Sequence, residues 1–299
     1  MSLTGNGASV SVEKAARAAA CAAKRGAREG ENAVPDPLIT LTTDFGTSDH
    51  LVAAMKGVIL GINPSARIID IQHHVAPYDL LDGALTIGSV YPYFPARTIH
   101  IVIVDPGVGT ARRPLLVSAD NQYFIAPDNG VLSMVYDRDP GVVVRHVTAS
   151  HNFLEPVSPT FHGRDVFAPV AAYLSKAWAT ESFGEEITDF TRFVLPKPKA
   201  AGDSLKAVVL HVDAFGNLMT NLRAEDLPEA TVATGKIKLQ VGGKSVERFV
   251  ATFGEGNSAE PVALIGSSGY VEIAVNKGNA AKALGASRGS EVVLSRTPS

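Results

Sequence analysis

The chain has 299 residues, of which 45% are hydrophobic and 19% charged, and its formal net charge is −3 at pH 7. This length is enough for two domains with sizeable cores. The small negative charge gives no reason to expect binding to nucleic acid or a membrane surface, and no apolar run approaches the roughly 20 residues that span a bilayer. A single cysteine, Cys21, excludes an internal disulfide framework and a cysteine-rich zinc site, and fits a cytoplasmic location best.

The first 36 residues differ in composition from the rest. Residues 13–25 are rich in alanine and are compatible with a short helix, but they lack a large apolar face. The tetrapeptide at 18–21 loosely resembles a lipoprotein cleavage site, although no apolar segment precedes it. We expect residues 1–36 to be a disordered or loosely helical leader rather than an export signal.

Strands and helices alternate after Pro37. In chain order the pattern predicts a strand at 38–43, a helix at 51–62, a strand at 67–71, a helix at 80–91, a strand at 99–104, a hairpin over 115–126, and helices at 130–136 and 164–176. This alternation is typical of a largely parallel sheet covered by helices on both faces. We therefore predict an N-terminal α/β domain over residues 37–194.

The pattern changes after a Pro- and Lys-rich segment, residues 195–204, which we interpret as a linker. Short predicted strands then follow at 205–212, 236–241, 245–250, 262–265, 270–275 and 291–294. These strands predict a smaller all-β C-terminal domain over residues 205–299. A cleft between domains or subunits is the default place for a ligand.

Polar residues follow three successive predicted strands of the first domain. Asp44 follows the first strand, Asp70 and His73 the second, and Asp105 the third. The carboxyl ends of parallel strands meet at one edge of a sheet, which favours ribose or metal binding there. Asp44-Phe-Gly and Asp105-Pro-Gly also suit turns and helix caps, so both interpretations stay open.

The segment 102–113, VIVDPGVGTARR, is the most informative part of the chain. Asp105 ends an apolar run, the glycines let backbone approach a ligand, and Arg112 can reach back to the acid. His162 lies in a second polar segment, PTFHGRD at 159–165. Together they predict an Asp/Arg/His site for water or another polar nucleophile, although His162 alone also suits an ordinary position at the edge of a core.

A metal site has weaker support. His73 and His74 are adjacent, and neighbouring residues of a strand point to opposite faces of the sheet. A metal would need one of them together with Asp44, Asp105 and His162, and no HExxH-like spacing is present. We expect no metal and no cofactor.

Six motifs occur in a characteristic order. They are LTTDFG at 41–46, VDPGVGT at 104–110, APDNG at 126–130, TFHGRD at 160–165, DAFGN at 213–217 and SSGY at 267–270. On these motifs the chain, over about residues 38 to 295, resembles the S-adenosyl-L-methionine (SAM) hydroxide adenosyltransferases. These adenosine-forming SAM hydrolases are related to the fluorinase and chlorinase enzymes.

The resemblance implies an N-terminal α/β domain and a β-barrel-like C-terminal domain. It also implies a homotrimer, with SAM bound between the N-terminal domain of one subunit and the C-terminal domain of the next. Water or hydroxide would attack ribose C5′, L-methionine would leave, and adenosine would form. The Asp/Arg/His triad of the family matches Asp105, Arg112 and His162. The halogenases have a tyrosine in place of Asp105, or a Tyr-Pro-rich turn that lacks the acid, and the fluorinase has Tyr-Ser in place of His162-Gly163. These departures favour the hydrolase branch for this chain.

The resemblance also implies the substrate contacts. Asp44 matches the acid that binds the ribose hydroxyls, and Tyr78 lies where the halogenases have a tryptophan near the sugar. The other matched positions are Phe161 in the TFHGRD motif, Phe215 and Phe253 as adenine-sandwiching aromatics, Asn217 at the adenine edge, Asp213 and Ser267 at the methionine end, and Glu272 and Asn276 near the adenine. Ser268 replaces an arginine of the fluorinase. The two phenylalanines also suit a hydrophobic core.

Two other functions are compatible with these residues. One is a binding module that senses SAM or adenosine with negligible turnover, which the same motifs would serve. The other is a metal-dependent phosphohydrolase that uses Asp44, Asp105 and His162.

Overall fold

The computed structural model describes residues 37–258 and 260–295. The predicted leader, residues 1–36, lies outside the described residues. No helix among the described residues is long and apolar enough to cross a membrane.

The first sheet has seven strands within the described residues. They are β1 (Leu38–Thr43), β2 (Arg67–Gln72), β3 (Ile99–Ile103), β4 (Pro114–Ala119), β5 (Gln122–Pro127), β6 (Val143–His146) and β7 (Glu186–Ile187). Their order is β2-β1-β3-β5-β4-β6-β7. Strands β2, β1, β3 and β5 are parallel neighbours, whereas β4, β6 and β7 add antiparallel pairs.

The prediction of a largely parallel sheet is therefore only partly right. The β4–β5 hairpin turns at Asp120 and Asn121, both of which have positive φ. A two-residue turn joins antiparallel strands, so β4 cannot continue the parallel order and β6 and β7 extend the antiparallel part. The four parallel strands form the part of the sheet that contains β1 and β3.

Helices cover both faces of this sheet. They are α1 (Leu51–Ile62), α2 (Leu80–Val90), α3 (Ser133–Arg138) and α4 (Ala168–Ser175), the last preceded by a π-helical turn at Gly163–Phe167. Because alternate strand residues point to opposite faces, Ile101 of β3 packs with α1 and α4, whereas Val102 packs with α2 and α3. All five residues of β3 are buried, so its carboxyl end emerges from the middle of the domain.

The second sheet has eight strands within the described residues, and all of their pairings are antiparallel. They are β8 (Lys199–Ala201), β9 (Ser204–Val212), β10 (Leu218–Arg223), β11 (Lys236–Val241), β12 (Lys244–Arg248), β13 (Val262–Ile265), β14 (Tyr270–Ala274) and β15 (Glu291–Ser295), with short helices α5 (Ala230–Thr234) and α6 (Ala280–Leu284) between them. The order is β12-β11-β15-β9-β10-β14-β13, with β8 paired to β9. A bridge between Phe249 and Ala263 joins the two ends of this order, so the sheet is nearly closed and barrel-like.

Strand β10 was absent from the sequence prediction. Its sequence, LMTNLR, has Thr220 and Asn221 at its centre, yet both are buried. Thr220 Oγ1 donates to the carbonyl of Val271, and Asn221 bonds the backbone of Val208 and Pro196. Their polar atoms are satisfied inside the domain, which hides the strand from a hydrophobic pattern.

Candidate active site

The loop after β3 contacts the loop before α4 at Gly109. This glycine has φ +77, and a Cβ placed on it would lie 2.2 Å from the carbonyl oxygen of Pro159. Only glycine combines that backbone conformation with so close an approach. The contact brings the segment with Asp105 and Arg112 against the segment with His162.

Asp105 and Arg112 form a bidentate ion pair. Arg112 Nε donates to Asp105 Oδ1 at 2.9 Å, and Arg112 Nη2 donates to Oδ2 at 2.5 Å. The side chains are 5% and 8% exposed, respectively, so both charges are withdrawn from water. A planar guanidinium fork holds a carboxylate in one orientation, which a lysine cannot do.

His162 joins this pair through the same guanidinium. Arg112 Nη2 also donates to His162 Nδ1 at 2.8 Å. Burial and the adjacent Arg112 charge lower the pKa of His162, so the ring is neutral near pH 7. Since Nδ1 accepts a hydrogen bond, the ring proton is assigned to Nε2. The three residues predicted from the sequence are thus brought together.

One nitrogen of the Arg112 guanidinium has no hydrogen-bond partner among the described residues. This atom, Nη1, is buried. The guanidinium also lies over the ring of Phe167, 5.3 Å from its centroid. A buried donor without an acceptor is costly, and an oxygen of a ligand or of water would satisfy it.

Asp165 supports the histidine loop. Its side chain is fully buried, accepts from Arg164 Nε at 2.6 Å and accepts from the backbone N–H of Ser158 at 2.8 Å. The hydrogen bond from Arg164 and the Ser158 amide help to hold the pKa of Asp165 below its ordinary value, against the opposing effect of burial. This pair fixes the entry to the π-helical turn after His162.

Asp44 directly follows β1, and Tyr78 lies in the turn before α2. Asp44 Oδ2 accepts from the backbone N–H of Tyr78 at 3.0 Å. Tyr78 has φ +65 and is 72% exposed. Burial raises the pKa of Asp44, and the charge of Asp105 adds a smaller effect in the same direction. Phe161 is buried and makes an edge-to-face contact with Phe45, centroid to centroid 6.1 Å.

A second group of predicted residues lies in the C-terminal domain. Asp213 Oδ1 accepts from the backbone N–H groups of Phe215 and Asn217 at 2.9 and 2.8 Å, and Oδ2 accepts from Asn217 Nδ2 at 2.8 Å. This turn presents Phe215, which is 76% exposed. Phe253 is 45% exposed, so the core interpretation is wrong for both phenylalanines.

The remaining predicted residues surround this turn. Ser267 is exposed, and Glu272 is half-buried. Burial raises the pKa of Glu272, and the charge of Asp213 raises it further. Asn276 Nδ2 donates to the carbonyl of Gly256 at 2.7 Å, which supports the loop that contains Phe253.

No hydrogen bond or ion pair of the described residues joins these two groups. The first contains Asp44, Tyr78, Phe161, Asp105, Arg112 and His162, and the second contains Asp213, Phe215, Asn217, Phe253, Ser267, Glu272 and Asn276. Each group is organised within its own domain.

Three further residues, Asn129, Arg113 and Asp128, support the site, and the sequence analysis gave none of them a role in it. Asn129 Nδ2 donates to the carbonyl of Val104 at 2.8 Å, immediately before Asp105. Arg113 Nε donates to Asp128 Oδ2 at 2.8 Å, and Asp128 is 5% exposed. The APDNG motif therefore braces the carboxyl end of β3. The Pro-Asp-Asn-Gly sequence of this motif, which is typical of a turn, was the only sign in the sequence of this supporting role.

The two adjacent histidines have different hydrogen-bonding partners. His73 Nδ1 hydrogen-bonds Thr43 Oγ1 at 2.9 Å and Nε2 lies 3.0 Å from Asp70 Oδ1, whereas His74 Nε2 hydrogen-bonds Thr47 Oγ1. In residues 37–258 and 260–295, no three His, Cys, Asp or Glu side chains are grouped as a metal ion would require.

The fold and the site together define a two-domain protein, with an Asp/Arg/His cluster at the strand ends of an α/β domain and a barrel-like β domain after it. Two family models match the chain: the SAM hydroxide adenosyltransferase N-terminal domain over residues 39–184 and the C-terminal domain of the same family over residues 207–293. The chain belongs to the SAM hydroxide adenosyltransferase family.

Individual relatives agree with this membership. An (R)-S-adenosyl-L-methionine hydrolase from Salinispora tropica is 38% identical over 264 residues, which cover 86% of this chain and 97% of that protein. A fluorinase from an Actinoplanes species is 29% identical, with 81% and 91% covered. The crystal structure of an uncharacterized conserved protein from Thermotoga maritima superposes with a TM-score of 0.80 at 35% identity and covers 86% of this chain and 100% of that one.

Proposed function

We propose that this protein is an enzyme that hydrolyses SAM to adenosine and L-methionine. The observation that carries the proposal is the hydrogen-bonded cluster of Asp105, Arg112 and His162 in a chain of this family. Relatives at 33% to 38% identity are named (R)-S-adenosyl-L-methionine hydrolases. Position 105 is an aspartate, where the resemblance gives the halogenases a tyrosine or a turn that lacks the acid.

The reaction is a substitution at ribose C5′. A water oxygen forms a bond to C5′ as the C5′–S bond breaks, and the electron pair of that bond passes to sulfur. The sulfonium becomes the neutral thioether of methionine, so the leaving group needs no proton. The enzyme must hold one water in line with the breaking bond and accept its proton. In-line placement and general-base catalysis are the two contributions available to the site, the second worth about 10²–10⁴-fold.

Asp105 is the proposed general base. Each of its oxygens accepts one hydrogen bond from Arg112, which leaves further lone pairs free for the attacking water. The neutral His162 can donate from Nε2 to the same water, while its Nδ1 is held by Arg112. The unpaired Nη1–H of Arg112 is a second donor available to an oxygen in the site.

The substrate contacts are proposed residue by residue. Asp44 binds the ribose hydroxyls, with Tyr78 and Phe161 beside the sugar. Phe215 and Phe253 stack on the adenine, where Asn217, Glu272 and Asn276 contribute edge contacts, and Asp213 and Ser267 bind the methionine end. The exposure of Phe215 supports this, because stacking surfaces must be free before the ligand binds.

We further propose a homotrimer in the cytoplasm, with domains at 37–194 and 205–299 joined by 195–204. Each site would combine the first group of one subunit with the second group of the next.

The test is incubation of the purified protein with SAM in oxygen-18 water, with and without EDTA. Adenosine and methionine should form in equal amounts, with the label in the 5′-hydroxyl of adenosine. Failure to form adenosine would overturn the proposal. Loss of activity in EDTA would mean that the reaction depends on a metal ion, and tight adenosine binding without turnover would favour a sensor.

A further inference from the structure

The turn that contains Tyr78 is tied to the C-terminal domain by two ion pairs. Asp82 Oδ1 lies 3.0 Å from His211 Nδ1, on strand β9. Asp79 pairs with Arg288, which precedes β15. Both acids belong to the first turn of helix α2, where Asp79 is the N-cap and accepts from the backbone N–H of Asp82 at 3.0 Å.

Asp82 connects His211 to the turn itself. Its side chain is 9% exposed, and its second oxygen, Oδ2, accepts from the backbone N–H of Ala76 at 3.0 Å. One buried carboxylate therefore binds both the start of the turn and the imidazole from the other domain. Removing the imidazole would leave this buried charge without its ionic partner, which is destabilising.

The other end of the turn reaches Asp44. Tyr78 donates its backbone N–H to Asp44 Oδ2, and it does so with φ +65, a conformation that a non-glycine residue keeps only when its surroundings enforce it. Asp79, the next residue, donates its N–H to the carbonyl of Ala76 at 3.0 Å and closes the turn. A continuous set of contacts thus leads from His211 through Asp82 and Ala76 to Tyr78 and Asp44.

We propose that His211 is a positioning residue for ribose recognition: through Asp82 it holds the turn 76–79 so that Tyr78 and Asp44 present their hydrogen-bonding groups to the sugar hydroxyls. The inference rests on the proposed function, because it assigns Asp44 and Tyr78 to the ribose. His211 itself touches neither the sugar nor the reacting atoms. It lies two residues before Asp213, so it also links the turn to the base of the loop that contains Phe215.

The test compares two ligands that differ only in the sugar hydroxyls. Adenosine and 2′,3′-dideoxyadenosine are titrated by calorimetry into the full-length parent and into His211→Ala, His211→Asn and Lys206→Ala. Asparagine places an amide N–H where His211 Nδ1 stands. Lys206 is the matched control, since it lies on the same strand and forms an exposed ion pair with Glu291.

His211→Ala should weaken adenosine binding about five- to tenfold, the size of coupling expected for residues in one contact network. Its binding of the dideoxy ligand should stay within about twofold of the parent, and His211→Asn should recover most of the loss for adenosine. Lys206→Ala should bind both ligands as the parent does. Equal weakening of both ligands, or unchanged adenosine binding, would overturn the inference.

Asp82→Asn provides a second variant if His211→Ala does not fold. It keeps an oxygen for Ala76 N–H and removes the charge that pairs with His211, so the same ligand-dependent loss is expected. Turnover of SAM by the parent is measured separately. A parent that forms no adenosine refutes the proposed function, whereas an active parent with an unaffected His211→Ala variant refutes only this inference.

Discussion

Arg112 binds Asp105 through both carboxylate oxygens while its Nη2 also donates to His162, so one guanidinium fixes the other two residues of the cluster. The carboxylate cannot rotate without losing a hydrogen bond, and the imidazole is held in one tautomer. This is preorganisation of polar groups in a site shielded from water, which makes them effective without rearrangement during the reaction.

Asp105→Asn should lower kcat for SAM by about 10²–10⁴-fold, because the amide keeps the shape of the side chain but cannot accept the proton. The control is Asp189→Asn, which also removes a carboxylate partner of an arginine, in this case Arg113 at 2.9 Å. Asp189 is 77% exposed, and its variant should keep parental activity. Turnover is measured by chromatography of adenosine. Similar rates for the two variants would remove Asp105 from the catalytic step.

The neutral state of His162 predicts a pH dependence. Its pKa is lowered by burial and by Arg112, so kcat/KM should hold below about pH 6.5, the ordinary pKa of histidine, and fall only at more acidic pH. Protonation would place a second cation beside Arg112 and remove the acceptor at Nδ1. The titration of His162 is followed by NMR and identified by the signal missing in His162→Gln. A midpoint above 6.5 contradicts this account.

Gly109→Ala should both destabilise the protein and reduce its activity, because the added Cβ meets the carbonyl of Pro159 and separates the two loops of the cluster. Gly243→Ala is the matched control: Gly243 has φ +75, but a Cβ added there would have no neighbouring atom within 4 Å. The control should lose about 1–2 kcal/mol of unfolding free energy from backbone strain alone and remain active. Urea unfolding and SAM turnover distinguish the two variants. Equal losses of stability and activity in the two variants would mean that the close approach of Gly109 to Pro159 does not matter for the site.

The meeting of Asp105, Arg112 and His162 could be predicted from the sequence. A carboxylate that ends a buried apolar run lies at the carboxyl end of a strand, and parallel strands converge at that edge. The glycine-containing loop between Asp105 and Arg112 indicated that the chain can turn back there, so that Arg112 can reach the carboxylate. The pattern predicted the β4–β5 hairpin but could not supply β6 and β7, because β6 pairs with β4 and β7 pairs with β6 across long stretches of sequence.

The same limit explains the other differences. Thr220 and Asn221 are buried because Val271, Val208 and Pro196 satisfy them, and none of these partners is adjacent in sequence. His211 and Asp82 are likewise far apart along the chain, and each alone is typical of an ordinary polar position. The exposure of Phe215 follows from the turn held by Asp213, which the motif DAFGN suggests but does not require.

Phe215→Ala should weaken adenosine binding about five- to 150-fold, since stacking of one base on an aromatic ring is worth about 1–3 kcal/mol. Because Phe215 is 76% exposed, the variant should change the unfolding free energy by no more than about 0.5 kcal/mol. Tyr93, 78% exposed, is the matched aromatic control, and Tyr93→Ala should bind adenosine as the parent does. Calorimetry gives both affinities. Parental affinity in Phe215→Ala would exclude it from the adenine site.

The ion pair of His211 and Asp82 predicts a pH window for stability. Asp82 raises the pKa of His211. The stabilisation of the folded protein by this ion pair is therefore complete below about pH 6.5 and is lost as the pH rises through the raised pKa. His211 lowers the pKa of Asp82, so the stabilisation is present above about pH 4 and is lost as the pH falls through the lowered value. The other charge facing the imidazole is Asp213, which acts in the same direction as Asp82.

The melting temperature of His211→Ala should therefore differ most from that of the parent between about pH 4 and pH 6.5, and the difference should shrink above that range. His211 is 38% exposed, so solvent screening limits the effect to about 1 kcal/mol, or a few degrees in Tm. Lys206→Ala should show no such window over the same range. A difference that grows toward alkaline pH would mean that His211 stabilises the protein as a neutral ring, by packing rather than by charge.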